Sequence, residues 1–340
     1  MKTLSLHWPV SLTFLRAAAG LLVICAAVEG FARTPLAPSI FPIESFGSSH
    51  PHFNTQVTRI LARAAGGRID CIFLGDSQVL HDINPAVIEP ILSASAGGPV
   101  RCQNFGLGGM TPLSADYVAR MLIHRFHPQV LIFGTSEPNY IASQLDGSHE
   151  SIVSSPWLAY ELGQASVDGW LIETSQAYRY YLGALGLWFD GAPVNNEIQA
   201  NGHSIQYEGH TTMSIPDQVE YFRGLYKKPE LSPPHVDGLR RVLALESEGT
   251  KLVVLEMPID PQYFSLNKGL GTLYPQVREM LVNETAAAGV PLWLTQDSFH
   301  VPPDGWYDLI HLGKLGDTTL SEMVAERLTG ILTTHETTSP

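Results

Sequence analysis

A serine, an aspartate and a histidine in this sequence have the types and the order that acyl transfer requires. Ser77 closes the tripeptide "GDS" directly after the apolar run "IDCIFLG". Asp308 and His311 begin and end the tetrapeptide "DLIH" near the other end of the chain. In acyl transfer a serine hydroxyl attacks a carbonyl carbon, a histidine takes its proton, and an aspartate holds the imidazole in the required tautomer. The sequence therefore predicts Ser77, His311 and Asp308 as the catalytic residues.

Two further stretches that follow apolar runs supply candidates for an oxyanion hole. They read "NFGLGGMT" and "GTSEPN". The backbone N–H groups of Ser77 and Gly109 are predicted donors, because an oxyanion is stabilised by amides that point to where the negative charge develops. A side-chain donor is expected from the second stretch, where Ser136 and Asn139 are both candidates and Asn139 is slightly favoured.

Other polar and aromatic residues are interpreted from their position. Three that lie beside the motifs are predicted to bind substrate: Asp76, His81 and Trp306. Asp76 also suits the cap of a turn or helix. For His81, which follows the Ser77 turn, a solvated loop is favoured over a place in the pocket. Three histidines of the middle region lack metal-ligand spacing and are expected in solvent: His203, His210 and His235.

The motifs must be positioned by a sheet, because apolar runs alternate with helical patterns along the chain. Five runs have the length and composition of buried strands: 69–75, 99–106, 128–134, 250–258 and 290–295. A helix is predicted between the first two, with Asn84 as its cap and Pro85 at its first position. This alternation predicts an α/β fold with a central parallel sheet of about five strands and helices on both faces. Ligands bind at the carboxyl ends of such strands, where the motifs stand.

Composition bounds the class of protein. The chain has 340 residues, of which 44% are hydrophobic and 16% charged, enough for one large folded domain. The formal net charge of -13 argues against nucleic acid as a partner. The sequence contains no CxxC pair and no Cys/His cluster, so we expect neither a metal nor a cofactor.

The N-terminus predicts a membrane association. Residues 1–33 contain the apolar run "AAAGLLVICAAV" with basic residues mainly before it, which favours a signal-anchor with the bulk of the chain outside the cytoplasm. A cleaved signal peptide, followed by secretion, stays open as an alternative. We interpret 34–68 as a linker and lead-in, 69–334 as the α/β domain, and 335–340 as a tail.

Two features of the domain stay open. The region from about 140 to 250 interrupts the strand and helix rhythm, is rich in aromatic residues, and is interpreted as an inserted, mostly helical cap. Cys71 and Cys102 each stand in a predicted strand. We expect two small buried hydrophobic side chains, although export would permit a disulfide between them.

The three motifs together resemble those of the SGNH (GDSL-like) hydrolases and acyltransferases, which have a three-layer flavodoxin-like fold. The phrases "GDSQV", "NFGLGGMTPL" and "HPQVLIFGTSEPN" are similar to membrane-anchored members of the alginate O-acetyltransferase and D-alanyl-lipoteichoic-acid transfer groups. The resemblance implies a multispanning membrane acyltransferase as donor. The third motif departs from the usual Gly-x-Asn-Asp, because Ser136 stands where the oxyanion asparagine is expected.

The resulting expectation is acyl transfer, with acetyl as the acyl group, to a cell-envelope or secreted polysaccharide through Ser77. An SGNH-type carboxylesterase or deacetylase is the first alternative, because water can accept the acyl group from the same intermediate. A noncatalytic, polysaccharide-binding assembly protein is the second, and the altered third motif motivates it.

Overall fold

A five-stranded, all-parallel sheet forms the centre of the protein. The computed structural model describes residues 12–141, 146–190, 195–207, 211–225, 230–266, 273–302 and 304–332. The strands are β1 (Cys71–Gly75), β2 (Cys102–Gly106), β3 (Val130–Thr135), β4 (Lys251–Glu256) and β5 (Leu292–Trp293), in the order β2-β1-β3-β4-β5. The α/β prediction is confirmed.

Helices cover both faces of this sheet. The α-helices are α1 (Leu12–Ala32), α2 (Ala37–Ile40), α3 (Phe53–Ala65), α4 (Ser77–Asp82), α5 (Pro85–Ala96), α6 (Pro112–Phe126), α7 (Asp146–Val153), α8 (Pro156–Glu161), α9 (Val167–Thr174), α10 (Gln176–Leu185), α11 (Ile215–Leu225), α12 (Pro233–Leu243), α13 (Pro261–Leu266), α14 (Tyr274–Ala288) and α15 (Lys314–Leu332). Asn84 caps α5 through its side chain, which accepts the N–H of Ala86, and Pro85 is its first residue.

Alternation along the buried strands explains the two helical layers. In β1, Ile72 and Leu74 join the core that also contains buried side chains of α3, α6, α12 and α14. Their neighbours Cys71 and Phe73 join the opposite core, with α5 and α15. Because successive side chains of a strand point to opposite faces, a strand covered on both sides must be apolar throughout.

The last strand is shorter than the apolar run at 290–295 predicts. Only Leu292–Trp293 pairs with β4. The backbone N–H groups of Thr295 and Gln296 donate instead to the carboxylate of Glu256, at 3.0 and 3.1 Å. This side chain at the end of β4 therefore draws the chain out of the ladder.

A disulfide joins the first two strands. Cys71 and Cys102 are direct partners in the β1–β2 register, with their Cα atoms 4.6 Å apart, and their sulfurs are bonded. The expectation of two separate buried thiols is therefore wrong. Apolarity along each run indicated burial, whereas the pairing required the register between two parallel strands.

The lead-in and the middle region both contribute to the main core. The lead-in contains α3, whose Phe53 is fully buried. Trp157 of α8 packs against Phe53 and against Phe46, with ring centroids 6.3 and 5.0 Å apart. Residues 195–207 run beside β2, where the N–H of Asn104 donates to the carbonyl of Asn201 at 2.8 Å.

Glycines at the strand ends let α4 lie directly on the sheet. A Cβ atom at Gly106 would collide with the backbone of Leu80, and one at Gly134 would collide with the side chain of Val79. Helix α4 carries Ser77 as its first residue. The close approach of α4 to the sheet therefore fixes the position of Ser77 relative to the ends of the strands.

We predict that Gly106→Ala destabilises the protein by about 1–3 kcal/mol, because the added methyl must displace the backbone of α4. The control is Gly98→Ala, where a Cβ would meet no atom within 4 Å. It should change stability by less than about 0.5 kcal/mol. Urea unfolding of both variants measures the difference, and equal effects would contradict this account of the sheet end.

Candidate active site

Ser77 stands at the tight turn between β1 and α4. Asp76 caps the helix, because its Oδ1 accepts the N–H of Gln78 at 2.9 Å. The side chain of Ser77 is partly exposed, whereas those of Asp76 and Gln78 are buried. The cap thus fixes the backbone on either side of the serine and leaves its hydroxyl at the surface of the site.

The structure brings the three predicted catalytic residues into one hydrogen-bonded line. Nε2 of His311 lies 2.9 Å from Oγ of Ser77. Nδ1 of the same imidazole lies 2.9 Å from Oδ2 and 3.1 Å from Oδ1 of Asp308. A carboxylate only accepts, so Nδ1 carries a proton and Nε2 of the neutral ring is free to accept the serine proton.

A short loop presents the aspartate and the histidine. Oδ1 of Asp308 accepts the N–H groups of Ile310 and His311, both at 2.8 Å. The next N–H, of Leu312, donates to Oδ1 of the buried Asp82 in α4 at 3.0 Å. The loop carrying the imidazole is therefore bonded to the helix that carries the serine.

Opposing effects set the charge of Asp308. Burial alone would raise the pKa of its carboxyl, but attraction to His311 and the hydrogen bonds from His311 and Ile310 lower that pKa overall. Asp308 is therefore ionised at neutral pH. An ionised carboxylate at this place stabilises the imidazolium that forms when His311 takes a proton.

Gln78, which sequence reasoning missed, is the main connection within the site. Its Nε2 donates to the carbonyls of Ile310 at 2.7 Å and Pro258 at 2.9 Å. Its Oε1 accepts the hydroxyl of Ser136 at 2.5 Å. A glutamine one residue after a candidate nucleophile gives no signal by itself, because its partners, two backbone carbonyls and a serine hydroxyl, lie far away in sequence.

The third motif holds the two candidate oxyanion side chains in structural hydrogen bonds. Nδ2 of Asn139 donates to Oδ2 of Asp76 at 2.8 Å, and its Oδ1 accepts the N–H of Ser136 at 2.9 Å. The single hydroxyl proton of Ser136 is used on Gln78. Asn139 keeps a second N–H on Nδ2, so it is better suited than Ser136 to donate to an oxyanion.

The three residues predicted to bind substrate lie in different settings. Asp76 is the buried helix cap described above. Trp306 pairs with Leu312 at the base of the histidine loop and packs against the apolar core. His81 is buried in α4, with only 4% of its surface exposed, so a solvated loop is wrong for it.

Aromatic rings surround the candidate base. The Tyr207 ring stacks on that of Tyr307, with centroids 4.2 Å and planes 12° apart. The centroid of Tyr207 also lies 4.8 Å from that of His311 and 3.9 Å from that of His81. Sequence reasoning missed both tyrosines, because Tyr207 reaches the site from the middle region.

The middle-region histidines differ from their expected exposure. His203 and His235 are both buried, and Nε2 of His203 lies 2.9 Å from the carbonyl of His81. His210 lies outside the described residues. In the part of the chain that the structure describes, no cluster of three or more His, Cys, Asp or Glu side chains has the arrangement of a metal site.

Comparison with known proteins finds distant structural likenesses. The sequence matches no protein-family profile and no curated protein. An inhibitor-bound aryl esterase of M. smegmatis is similar at 12% identity and a TM-score of 0.40, over 77% of this chain and 99% of that one. A carbohydrate acetylesterase from Sinorhizobium meliloti is similar at 11% identity and a TM-score of 0.40, over 78% of this chain and 100% of that one. A lipase/acylhydrolase from Enterococcus faecalis is similar at 11% identity and a TM-score of 0.37, over 77% of this chain and 96% of that one. These likenesses are too distant to carry an activity or a substrate over to this chain.

A buried carboxyl adjoins the third motif. Glu137 is 2% exposed, and among the described residues neither of its carboxyl oxygens has a hydrogen-bond partner. Burial raises its pKa from 4.5 to about 8. The folded state therefore holds a proton on Glu137 at neutral pH that the unfolded chain releases.

We predict that this group makes stability fall as pH rises from about 4.5 to about 8, by up to about 1.4 kcal/mol per pH unit. Glu137→Gln should remove this fall and be more stable than wild type at pH 8. Thermal unfolding across that pH range measures the change in stability, with Glu150→Gln, a substitution at an exposed position of α7, as the control. Parallel pH profiles of wild type and Glu137→Gln would show that the carboxyl is ionised when folded.

Proposed function

We propose that this protein is an SGNH-type serine enzyme that transfers an acyl group, acetyl in the simplest case, to a hydroxyl of a polysaccharide outside the cytoplasm. One observation carries the proposal: Ser77, His311 and Asp308 form a continuous hydrogen-bonded line with both contacts at 2.9 Å. A serine hydroxyl, an imidazole and an ionised carboxylate in this order are the parts of an acyl-transfer site.

In the first half-reaction, Oγ of Ser77 attacks the carbonyl carbon of the acyl donor while Nε2 of His311 takes the hydroxyl proton. The negative charge on the carbonyl oxygen is stabilised by the N–H groups of Ser77 and Gly109 and by the remaining N–H of Asn139. Collapse of the tetrahedral intermediate breaks the bond to the leaving group, which receives the proton from His311. Ser77 then carries the acyl group as an ester.

In the second half-reaction, a sugar hydroxyl replaces water as the acceptor. His311 takes the hydroxyl proton while the acceptor oxygen attacks the acyl carbon. As the tetrahedral intermediate collapses, the bond from the acyl carbon to Oγ of Ser77 breaks and His311 returns the proton to Oγ, which restores the free enzyme. The stacked pair Tyr207 and Tyr307 beside His311 supports this choice. Stacked rings beside the ester reduce the access of water to it and so favour another acceptor.

An N-terminal anchor is part of the proposal. Helix α1 has 21 residues and a mean hydropathy of 1.8, and no residue of its most apolar window is buried. By length and composition it can cross a membrane, although a signal sequence has the same properties. The disulfide between Cys71 and Cys102 supports an oxidising, extracytoplasmic compartment for the domain.

Contacts at the end of α1 would hold the domain close to the membrane. The carboxylate of Glu29 accepts the hydroxyl of Ser175 at 2.8 Å and the N–H groups of Gln176 and Ala177, at the start of α10. Arg33 donates to the carbonyl of Thr174 at 3.1 Å. A domain fixed in this way suits a donor in the membrane, such as a multispanning acyltransferase.

Two alternatives assign a different role to the same site. An esterase or deacetylase would release the acyl group from Ser77 to water. A noncatalytic assembly protein would bind polysaccharide without forming an acyl-enzyme, but the hydrogen bond between Ser77 and His311 argues against a decayed site.

We predict that the detergent-solubilised full chain gains one acetyl group on Ser77 when it is exposed to p-nitrophenyl acetate. Intact-mass analysis followed by peptide mapping measures the adduct. Its decay is then compared in water alone and with added oligosaccharides. The adduct should disappear faster with a suitable oligosaccharide, because the proposed acceptor is a sugar hydroxyl.

The controls use matched serine substitutions. Ser77→Ala should abolish the adduct and lower ester turnover by about 1000-fold or more. Ser39→Ala, on the exposed face of α2, should change neither. Rapid loss to water with no effect of any oligosaccharide would favour the esterase, and the absence of both adduct and turnover would refute an enzymatic role.

A further inference from the structure

Two histidines of the lead-in form hydrogen bonds with the turn that carries Gly109, the candidate oxyanion glycine. The carbonyl oxygen of Gly108 lies 3.0 Å from Nε2 of His50. The N–H of Gly108 donates to Nδ1 of His52 at 3.1 Å. Both histidines precede α3 in the segment that sequence reasoning interprets as a linker.

These partners define the tautomers of both rings. A carbonyl only accepts, so Nε2 of His50 carries a proton, and Nδ1 of His52 must be unprotonated to accept a backbone N–H. Nδ1 of His50 in turn accepts the N–H of His52 at 3.3 Å. The two rings therefore form one consistent network in which both are neutral.

Burial keeps the rings neutral. His50 is 2% exposed, and burial lowers its pKa to about 4 in spite of the hydrogen bond to Gly108. Burial also lowers the pKa of His52, an effect that the nearby Glu197 opposes. At neutral pH the network is thus complete.

The carbonyl of Gly108 and the N–H of Gly109 belong to the same peptide unit. A trans peptide is planar, so fixing the direction of its carbonyl also fixes the opposite direction of its N–H. A hydrogen bond to the carbonyl additionally polarises the unit and strengthens the N–H as a donor. Gly109 has φ of 74°, a left-handed conformation that glycine adopts without strain. It directly follows the Gly108 carbonyl that His50 binds.

We propose that His50 is a positioning residue that aims the Gly109 N–H at the oxyanion, with His52 holding the other side of the same turn. This inference rests on the proposed function, because it assigns a role within that acyl-transfer site. His50 does not touch the substrate in this account. It acts through one peptide unit, from the side of the turn opposite to the reacting atoms.

The test compares His50→Gln with His50→Asn. The side-chain amide of glutamine can place a donor near the position of Nε2, whereas asparagine reaches only the position of Nδ1. With p-nitrophenyl acetate we expect His50→Gln to keep kcat within about 3-fold of wild type. His50→Asn should lose about 10-fold to 100-fold in kcat with little change in KM, because loss of one oxyanion donor costs about 100-fold or more.

Asn54→Ala is the control for local loosening of the lead-in. Asn54 accepts the N–H of Phe46 at 2.8 Å and donates to the carbonyl of Ser48 at 2.9 Å, without contacting Gly108. It should lower Tm and leave kcat unchanged. A fall in kcat that follows Tm across all three variants would overturn the positioning role.

The outcomes separate this inference from the proposed function. If wild type forms the Ser77 adduct and both His50 variants form it at the wild-type rate, the positioning role is wrong and the function stands. If His50→Asn is slow and His50→Gln is not, both are supported. If wild type forms no adduct and has no turnover, the function fails and the positioning role fails with it.

Discussion

The buried side chain of Gln78 joins the parts of the chain on which the active site depends. One amide bonds Pro258, Ile310 and Ser136, so the ends of three chain segments meet around the first turn of α4. Ile310 is 232 residues away in sequence. Because Ile310 directly precedes His311, this contact brings the imidazole to the serine that directly precedes Gln78. Burial of an amide is favourable only when all of its polar atoms are paired, and here each has a partner.

Ser77 itself is placed by the packing of α4 against the sheet. A side chain at either of the glycines near the ends of β2 and β3 would collide with α4. Asp76 then caps α4 and binds Asn139, which links the first motif to the third. The third motif is therefore tied to the serine turn through Asn139, three residues after Ser136.

Much of this architecture could be predicted from the sequence, because apolar strands and an Asn84 cap have local signals. The order of the motifs along a parallel sheet also indicated that Ser77, Asp308 and His311 meet at one edge. The disulfide, the short β5 and the roles of Gln78 and His50 had no such signal. Each depends on a partner far along the chain or on a backbone group: His50, for example, binds a carbonyl 58 residues away. Such contacts become visible only when register and packing are known.

The measurement that tests the central claim most directly is the rate at which a fluorophosphonate labels the full-length protein at neutral pH, with the modified residue located by peptide mapping. An activated serine in this geometry should be labelled at Ser77, and His311→Ala should slow labelling by about 100-fold or more, because the proton on Oγ then has no acceptor. Labelling that is absent, that falls on another residue, or that proceeds equally fast without His311 would contradict the account.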